Sequence, residues 1–128
     1  MSVFNVLEYS VMKSYTDLEQ SKGLAEILPL ESADCFWDYD DMLKYHRINW
    51  FEDGYNKDSQ LRLNENNVPC WSLTALLSVI PNYKISGEHN CHTCTADTSF
   101  GTETVGWFDD PVDACVAMIE KLHNLKML

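Results

Sequence analysis

Apolar residues recur at the spacing of an α-helix most clearly between residues 72 and 80. Ser72 is expected to cap this helix, with Trp71 and Leu76 as the partners of a hydrophobic staple, and Pro81 ends it. The apolar positions of the segment are Leu73, Leu76, Leu77 and Ile80. Because the helix is short and apolar nearly all round, we predict that it lies deep in the core.

Two further helices are predicted, one on each side of this segment. Thr16–Glu19 has the pattern of a capping box, which predicts a helix that ends near Leu28. Towards the end of the chain, Asp110 is expected to cap a helix that begins at Pro111 and runs to about Asn124. The apolar stripe of this last helix comprises Val112, Cys115, Val116, Ile119 and Leu122.

Between the helices, stretches rich in aromatic and β-branched residues predict strands. These stretches are residues 33–39, 44–51, 82–86, 91–95 and 102–108. The first two can pair through a turn at Asp40-Asp41 and the last two through residues 97–101, whereas residues 53–67 are typical of a polar loop. The order predicts an α+β fold, with about three helices packed on a mostly antiparallel sheet, as a single compact domain over residues 1–128.

The charge of the chain disfavours several classes of partner. Its 128 residues carry 20 acidic and 9 basic side chains, for a net charge of −11. Proteins that bind DNA or RNA directly gain affinity when Lys and Arg displace counterions from phosphates, so this balance disfavours nucleic acid and anionic membranes as ligands. The densest acidic run is Glu31–Asp41, with five acidic residues and no basic one.

This acidic run also holds aromatic residues, and it is the candidate binding surface. Its members are Asp34, Trp37, Asp38, Tyr39, Asp40 and Asp41, with Tyr45 and Trp50 near them. Charged residues around aromatic anchors suit recognition of a basic or polar protein partner. The alternative is that the aromatic rings fill the core. A cation site is less favoured, because the Gly and Glu of an EF-hand loop are missing, and no cofactor is expected.

The stretch EHNCHTCTAD, residues 88–97, holds the only dense group of metal-ligating residue types. A structural zinc site needs four ligands, usually from two knuckles, and Cys91 and Cys94 supply one Cys-x-x-Cys pair without a second. On a strand these two thiols point to opposite faces, and His92 shares the face of Cys94. Packing is therefore favoured. A metal- or thiol-dependent protein that uses His89, Cys91, His92 and Cys94 is the alternative.

The remaining cysteines and the motif search point away from an enzyme. Cys35, Cys70 and Cys115 are expected to pack in the core, although Cys70 precedes a helix N-terminus, where a thiol pKa falls. No phosphate-binding loop, dinucleotide-binding glycine pattern or nucleophile elbow occurs. A non-enzymatic interaction protein is thus the favoured interpretation, and an acidic mimic of nucleic acid that inhibits a DNA-binding protein is a further alternative.

The composition also bears on where the protein resides. Five cysteines are an odd number for a disulfide framework, and no apolar run reaches the roughly 18–20 residues of a membrane span. The first residues lack the basic region of a signal peptide. We therefore expect reduced thiols in the cytoplasm.

Blocks at the predicted helices resemble a group of small uncharacterised proteins. The blocks include Glu19–Ser21, Pro69–Leu73 and Pro111–Cys115, and the resemblance covers roughly residues 16 to 128 in separate pieces. Such proteins are encoded by gut bacteria of the Bacteroides type, often near phage or mobile elements. The resemblance implies the same fold and a cytoplasmic location, and it carries no catalytic residue over to this chain.

Overall fold

The computed structural model describes residues 13–88 and 91–128 of the chain. Residues 1–12, for which no signal peptide is predicted, and residues 89–90, which include the candidate ligand His89, lie outside the described part. The described helices are α1 (Leu18–Ala25), α2 (Lys57–Leu61), α3 (Leu73–Val79) and α4 (Pro111–Asn124), with a 3-10 turn at Leu30–Ser32. The strands are β1 (Cys35–Asp40), β2 (Tyr45–Trp50), β3 (Val68–Cys70), β4 (Tyr83–Glu88), β5 (Cys91–Thr98) and β6 (Gly101–Phe108).

The strands form two antiparallel sheets of three strands each. The first has the order β2-β1-β3 and the second the order β4-β5-β6. Both predicted hairpins are confirmed, with Asp40 opposite Tyr45 in the first and Thr98 opposite Gly101 in the second. The α+β class is confirmed as well, although the strands divide between two sheets instead of sharing one.

The second sheet and helix α4 enclose much of the core. His92, Cys94 and Ala96 alternate along β5 and are buried, as expected for a strand with one face covered. Helix α4 packs on β5 and β6 with its apolar stripe inward. The buried side chains of α4 are Val112, Ala114, Cys115, Val116, Met118, Ile119 and Leu122.

Two of the three predicted helix starts are confirmed and one is wrong. The hydroxyl of Ser72 accepts the N–H of Ala75 at 3.2 Å, and the carboxylate of Asp110 accepts the N–H of Asp113 at 3.0 Å. The first helix is capped by Asp17 instead of Thr16 and ends at Ala25 instead of near Leu28. Thr16 is unavailable as a cap because its buried hydroxyl contacts Ser21 and accepts the N–H of Trp71.

The predicted loop over residues 53–67 contains the short helix α2, which Asn56 caps. The buried Asn67 fastens this segment to the first sheet, since its Oδ1 accepts the N–H of Tyr39 at 2.8 Å and its Nδ2 donates to the carbonyl of Leu61 at 3.1 Å. Within residues 13–88 and 91–128, no helix is long and apolar enough to cross a membrane.

Candidate functional site

The turn between β1 and β2 has a fixed backbone. The carboxylate of Asp40 accepts the N–H groups of Met42 and Leu43 at 2.9 and 3.0 Å. The N–H of Lys44 donates to the carbonyl of Asp40 at 2.7 Å, and Lys44 has a φ of 61°. An Asp side chain that bonds backbone N–H groups two and three residues ahead holds a turn in one conformation. The tip of the hairpin is therefore preorganised.

Apolar side chains extend from this tip into solvent. Met42 is 91% exposed, Leu43 is 62% exposed and Tyr45 is 45% exposed. The carboxylate of Asp41 accepts the side-chain N–H of Asn64 at 2.9 Å, which brings the preceding residue, Leu63 (84% exposed), to the same end of the hairpin. We call these four apolar residues the hairpin-tip surface.

The charges around the hairpin-tip surface are mixed, with an acidic excess. Asp38, Asp40 and Asp41 lie on the hairpin together with Lys44 and Arg47, and Arg47 stands opposite Asp38 in the register. The N–H of Leu43, then that of Met42 and the positive charge of Arg47, hold the pKa of Asp40 below its usual range. The carboxylate of Asp40 thus stays ionised at neutral pH beside the apolar side chains.

Three of the six predicted surface residues are engaged inside the fold. Asp34 accepts the backbone N–H of Ser72 at 2.9 Å and also its hydroxyl. The ring N–H of Trp37 donates to the carbonyl of Thr16 at 3.2 Å. The half-buried ring of Tyr39 lies 4.9 Å from that of His46. The structure therefore divides the predicted surface between an inner group at 34, 37 and 39 and an outer group at 38, 40 and 41.

Sequence reasoning missed Met42 and Leu43. Both lie in the turn between two predicted strands, where polar residues are usual. Two adjacent apolar residues at a turn position were the available signal, because a turn at the end of a hairpin has no core to bury them. Tyr45 and Trp50, which were expected near the surface, are 45% and 52% exposed.

The residues of the Cys-x-x-Cys stretch are distributed over two faces, as the strand interpretation predicts. Cys91 is exposed, whereas His92 and Cys94 are buried. Cys94 and Cys115 of α4 are neighbours in the core, which lowers the pKa of Cys94 and raises that of Cys115. In the described part of the chain, no three His, Cys, Asp or Glu side chains are grouped so as to hold a metal ion. Among those residues, the buried Nε2 of His92 also has no hydrogen-bond partner.

A second pair of buried thiols lies between β1 and β3. Cys35 and Cys70 stand directly opposite each other and are fully buried. The neighbouring thiol of Cys35, followed by the hydroxyl groups of Thr16 and Ser21, lowers the pKa of Cys70. The thiol of Cys70, together with burial, raises the pKa of Cys35. The pair has one thiol that ionises more easily and one that stays protonated.

Two surface concavities lie away from both features. A cleft of about 510 Å³ is lined by Pro81, Asn82, Asp97, Thr98, Ser99, Phe100 and Met127. Asp97 is the sole ionisable side chain among these residues, and it already accepts the hydroxyl of Thr102 at 2.7 Å. A groove of about 310 Å³ between α1 and α4 is bordered by Glu19 and Glu120. Neither arrangement pairs a nucleophile with a base.

Comparison of the chain with protein-family models, with curated proteins and with solved structures found no match. The resemblance to proteins of Bacteroides-type bacteria therefore stays a prediction.

Proposed function

We propose that this protein is a non-enzymatic accessory protein that binds a protein partner through the hairpin-tip surface. The observation that carries the proposal is the exposure of Met42 and Leu43, 91% and 62%, on a turn that the carboxylate of Asp40 holds rigid. A protein gains nothing in folding from apolar side chains that stay in water. Their burial in a partner would contribute favourable free energy to binding.

The magnitude of that free energy fits an interaction anchor. Full burial of a Met or Leu side chain is worth roughly 1.5–3 kcal/mol. Binding also costs conformational entropy wherever a loop becomes ordered, and a turn already held by hydrogen bonds avoids most of that cost. Met42 and Leu43 together therefore have the character of a hot spot, in which few residues carry most of the affinity.

The partner that fits is a protein with an apolar pocket and a basic rim. Asp38 and Asp41 flank the hairpin-tip surface, and the whole chain carries a net charge of −11. Lys44 and Arg47 offset part of the local acidity, so long-range attraction speeds the encounter more than it strengthens the final contact. The same excess of acidic residues argues against direct nucleic-acid binding. We place the interaction in the cytoplasm, where thiols stay reduced.

The test is capture of the partner from the native cell extract by tagged wild-type protein and by two variants. In the tip variant, Met42→Ser and Leu43→Ser are combined. In the control variant, Phe100→Ser removes a residue that is 84% exposed at the other hairpin turn. We expect one protein to be retained by the wild type and by Phe100→Ser and to be lost with the tip variant.

The dissociation constant and the association rate of the purified partner are then measured by surface plasmon resonance at two salt concentrations. The dissociation constant of the tip variant should be at least tenfold larger than that of the wild type, equivalent to about 1.4 kcal/mol. The association rate of the wild type should fall as the salt concentration rises. Equal binding of the tip variant and the wild type contradicts the proposal.

A further inference from the structure

The positions of Cys35 and Cys70 meet the backbone requirement of a disulfide. The two residues are directly opposite on antiparallel strands, where Cα atoms lie about 4.5–5.5 Å apart. Disulfides form across Cα separations of about 4.4–6.8 Å. Both residues are fully buried. The backbone separation of the two residues therefore suits a disulfide.

We propose that Cys35 and Cys70 are a redox modification site, which a small hydroperoxide oxidises to an intrachain disulfide. This inference does not rest on the proposed interaction function. It assigns a role to two residues that the binding surface does not use.

The surroundings of the two thiols give them different roles. The hydroxyl of Thr16 lies 3.4 Å from the sulfur of Cys70 and can donate to its thiolate. The neighbouring Cys35 thiol, and then this contact with Thr16, lower the pKa of Cys70, so we assign Cys70 as the attacking nucleophile. The neighbouring Cys70 thiol, burial and the charge of Asp34 raise the pKa of Cys35. Cys35 therefore stays protonated and is assigned as the resolving thiol.

The reaction balances with the hydroperoxide as the oxidant. The Cys70 thiolate attacks one peroxide oxygen and the O–O bond breaks. With hydrogen peroxide, the leaving hydroxide takes the proton that Cys70 lost and becomes water, and Cys70 is left as a sulfenic acid. The Cys35 sulfur then attacks the Cys70 sulfur and expels a second water. In sum, two thiols are oxidised by two electrons and one hydrogen peroxide is reduced to two waters.

We expect the hydroperoxide to reach the buried pair when the short strand β3 opens locally. This strand has three residues, lies at the edge of its sheet and contains Pro69, which cannot donate a ladder hydrogen bond. Cys35 and Cys94 each lie on the central strand of a sheet, but the partner of Cys94 is on the core helix α4, whereas that of Cys35 is on the short edge strand β3. Local opening is easier at a short edge strand than in the core, so the first pair is expected to react faster.

The experiment uses the full chain with Cys91→Ser, which removes the exposed thiol and with it most intermolecular disulfides. The protein is treated with hydrogen peroxide, denatured, alkylated and digested with trypsin. Cys35 and Cys70 lie on separate tryptic peptides, 23–44 and 63–84, whereas Cys94 and Cys115 both lie on peptide 85–121. A disulfide of the first pair thus joins two peptides, while one of the second pair only removes two hydrogens from a single peptide.

We expect the joined peptide to appear first and to disappear after reduction with dithiothreitol. With Cys35→Ala added, oxidation should stop at a sulfenic acid on Cys70 that dimedone traps. If that variant does not fold, the peptide map of the Cys91→Ser protein decides alone. The proposal is overturned if Cys35 and Cys70 stay alkylatable while peptide 85–121 is oxidised, or if both pairs react at the same rate.

Discussion

The carboxylate of Asp34 accepts both the backbone N–H and the hydroxyl of Ser72, the N-cap residue of the core helix α3. Asp34 directly precedes β1, so this pair joins the first sheet to the start of the helix. The hydroxyl of Ser72 in turn accepts the N–H of Ala75. An acidic residue chosen from the sequence as a binding candidate is thus part of the framework.

Replacement of Asp34 by Ala should lower the free energy of unfolding by about 2–3 kcal/mol. The substitution removes a charged acceptor and leaves two donors of Ser72 without their partner. The measurement is urea denaturation followed by tryptophan fluorescence. Asp38→Ala, a change of the same type four residues further on within β1, serves as control and should stay within about 0.5 kcal/mol of the wild type. Equal loss in both variants would show that Ser72 does not depend on Asp34.

The charge of Asp40 should make the stability of the hairpin depend on acid pH. Its pKa in the folded protein is lowered, first by the N–H of Leu43, so the folded state favours the ionised form. The stabilisation is therefore fully present above the unfolded pKa of about 3.9, and it is lost as the pH falls through the lower folded value.

The variant Asp40→Asn isolates this effect, because it keeps an oxygen acceptor and removes the charge. The wild type should be the more stable protein at pH 6, and the two denaturation midpoints should converge as the pH falls below 3.9. If the difference between the two denaturation midpoints stayed constant between pH 2 and pH 6, the loss of stability in Asp40→Asn would come from the shape of the side chain and not from its charge.

Replacement by alanine should lower the free energy of unfolding at Gly87 and raise it at Gly23. A Cβ on Gly87, where φ is 130°, would lie 2.0 Å from the carbonyl oxygen of Cys91. Backbone strain and this clash should lower the free energy of unfolding by at least about 2 kcal/mol. Gly23 lies within α1 with open space around it, so Gly23→Ala should raise stability by about 0.5–1 kcal/mol. Thermal unfolding followed by circular dichroism measures both, and a neutral Gly87→Ala would contradict the tight approach of β4 to β5.

Features set by neighbouring residues in sequence could be predicted. The caps Ser72 and Asp110 were found because a cap needs only its own side chain and the next turn. The strand alternation that separates Cys91 from Cys94 likewise follows from local geometry. These predictions located α3, α4 and both hairpins.

Features set by distant residues could not be predicted. Strand β3 has three residues and a proline, and it exists because it pairs with β1. The N-cap shifted from Thr16 to Asp17 because Trp71, 55 positions away, occupies the Thr16 hydroxyl. Both thiol pairs also depend on long-range register. The candidate surface lies at the turn and not at the aromatic side chains of β1 for the same reason. Contacts between distant segments decide which side chains are covered.

Substitutions in the hairpin-tip surface and at Trp37 should differ in their effect on the free energy of unfolding. The combined change Met42→Ser and Leu43→Ser alters side chains that are mostly in water, so the free energy of unfolding should stay within about 0.5 kcal/mol of the wild type. Trp37→Ala removes a hydrogen bond to Thr16 and an edge contact with Tyr15, and it should destabilise the fold by about 2 kcal/mol or more. Urea denaturation of the two variants, with Phe100→Ser as reference, tests both expectations. A tip variant as unstable as Trp37→Ala would mean that the tip side chains support the fold, and their exposure would then no longer indicate a partner.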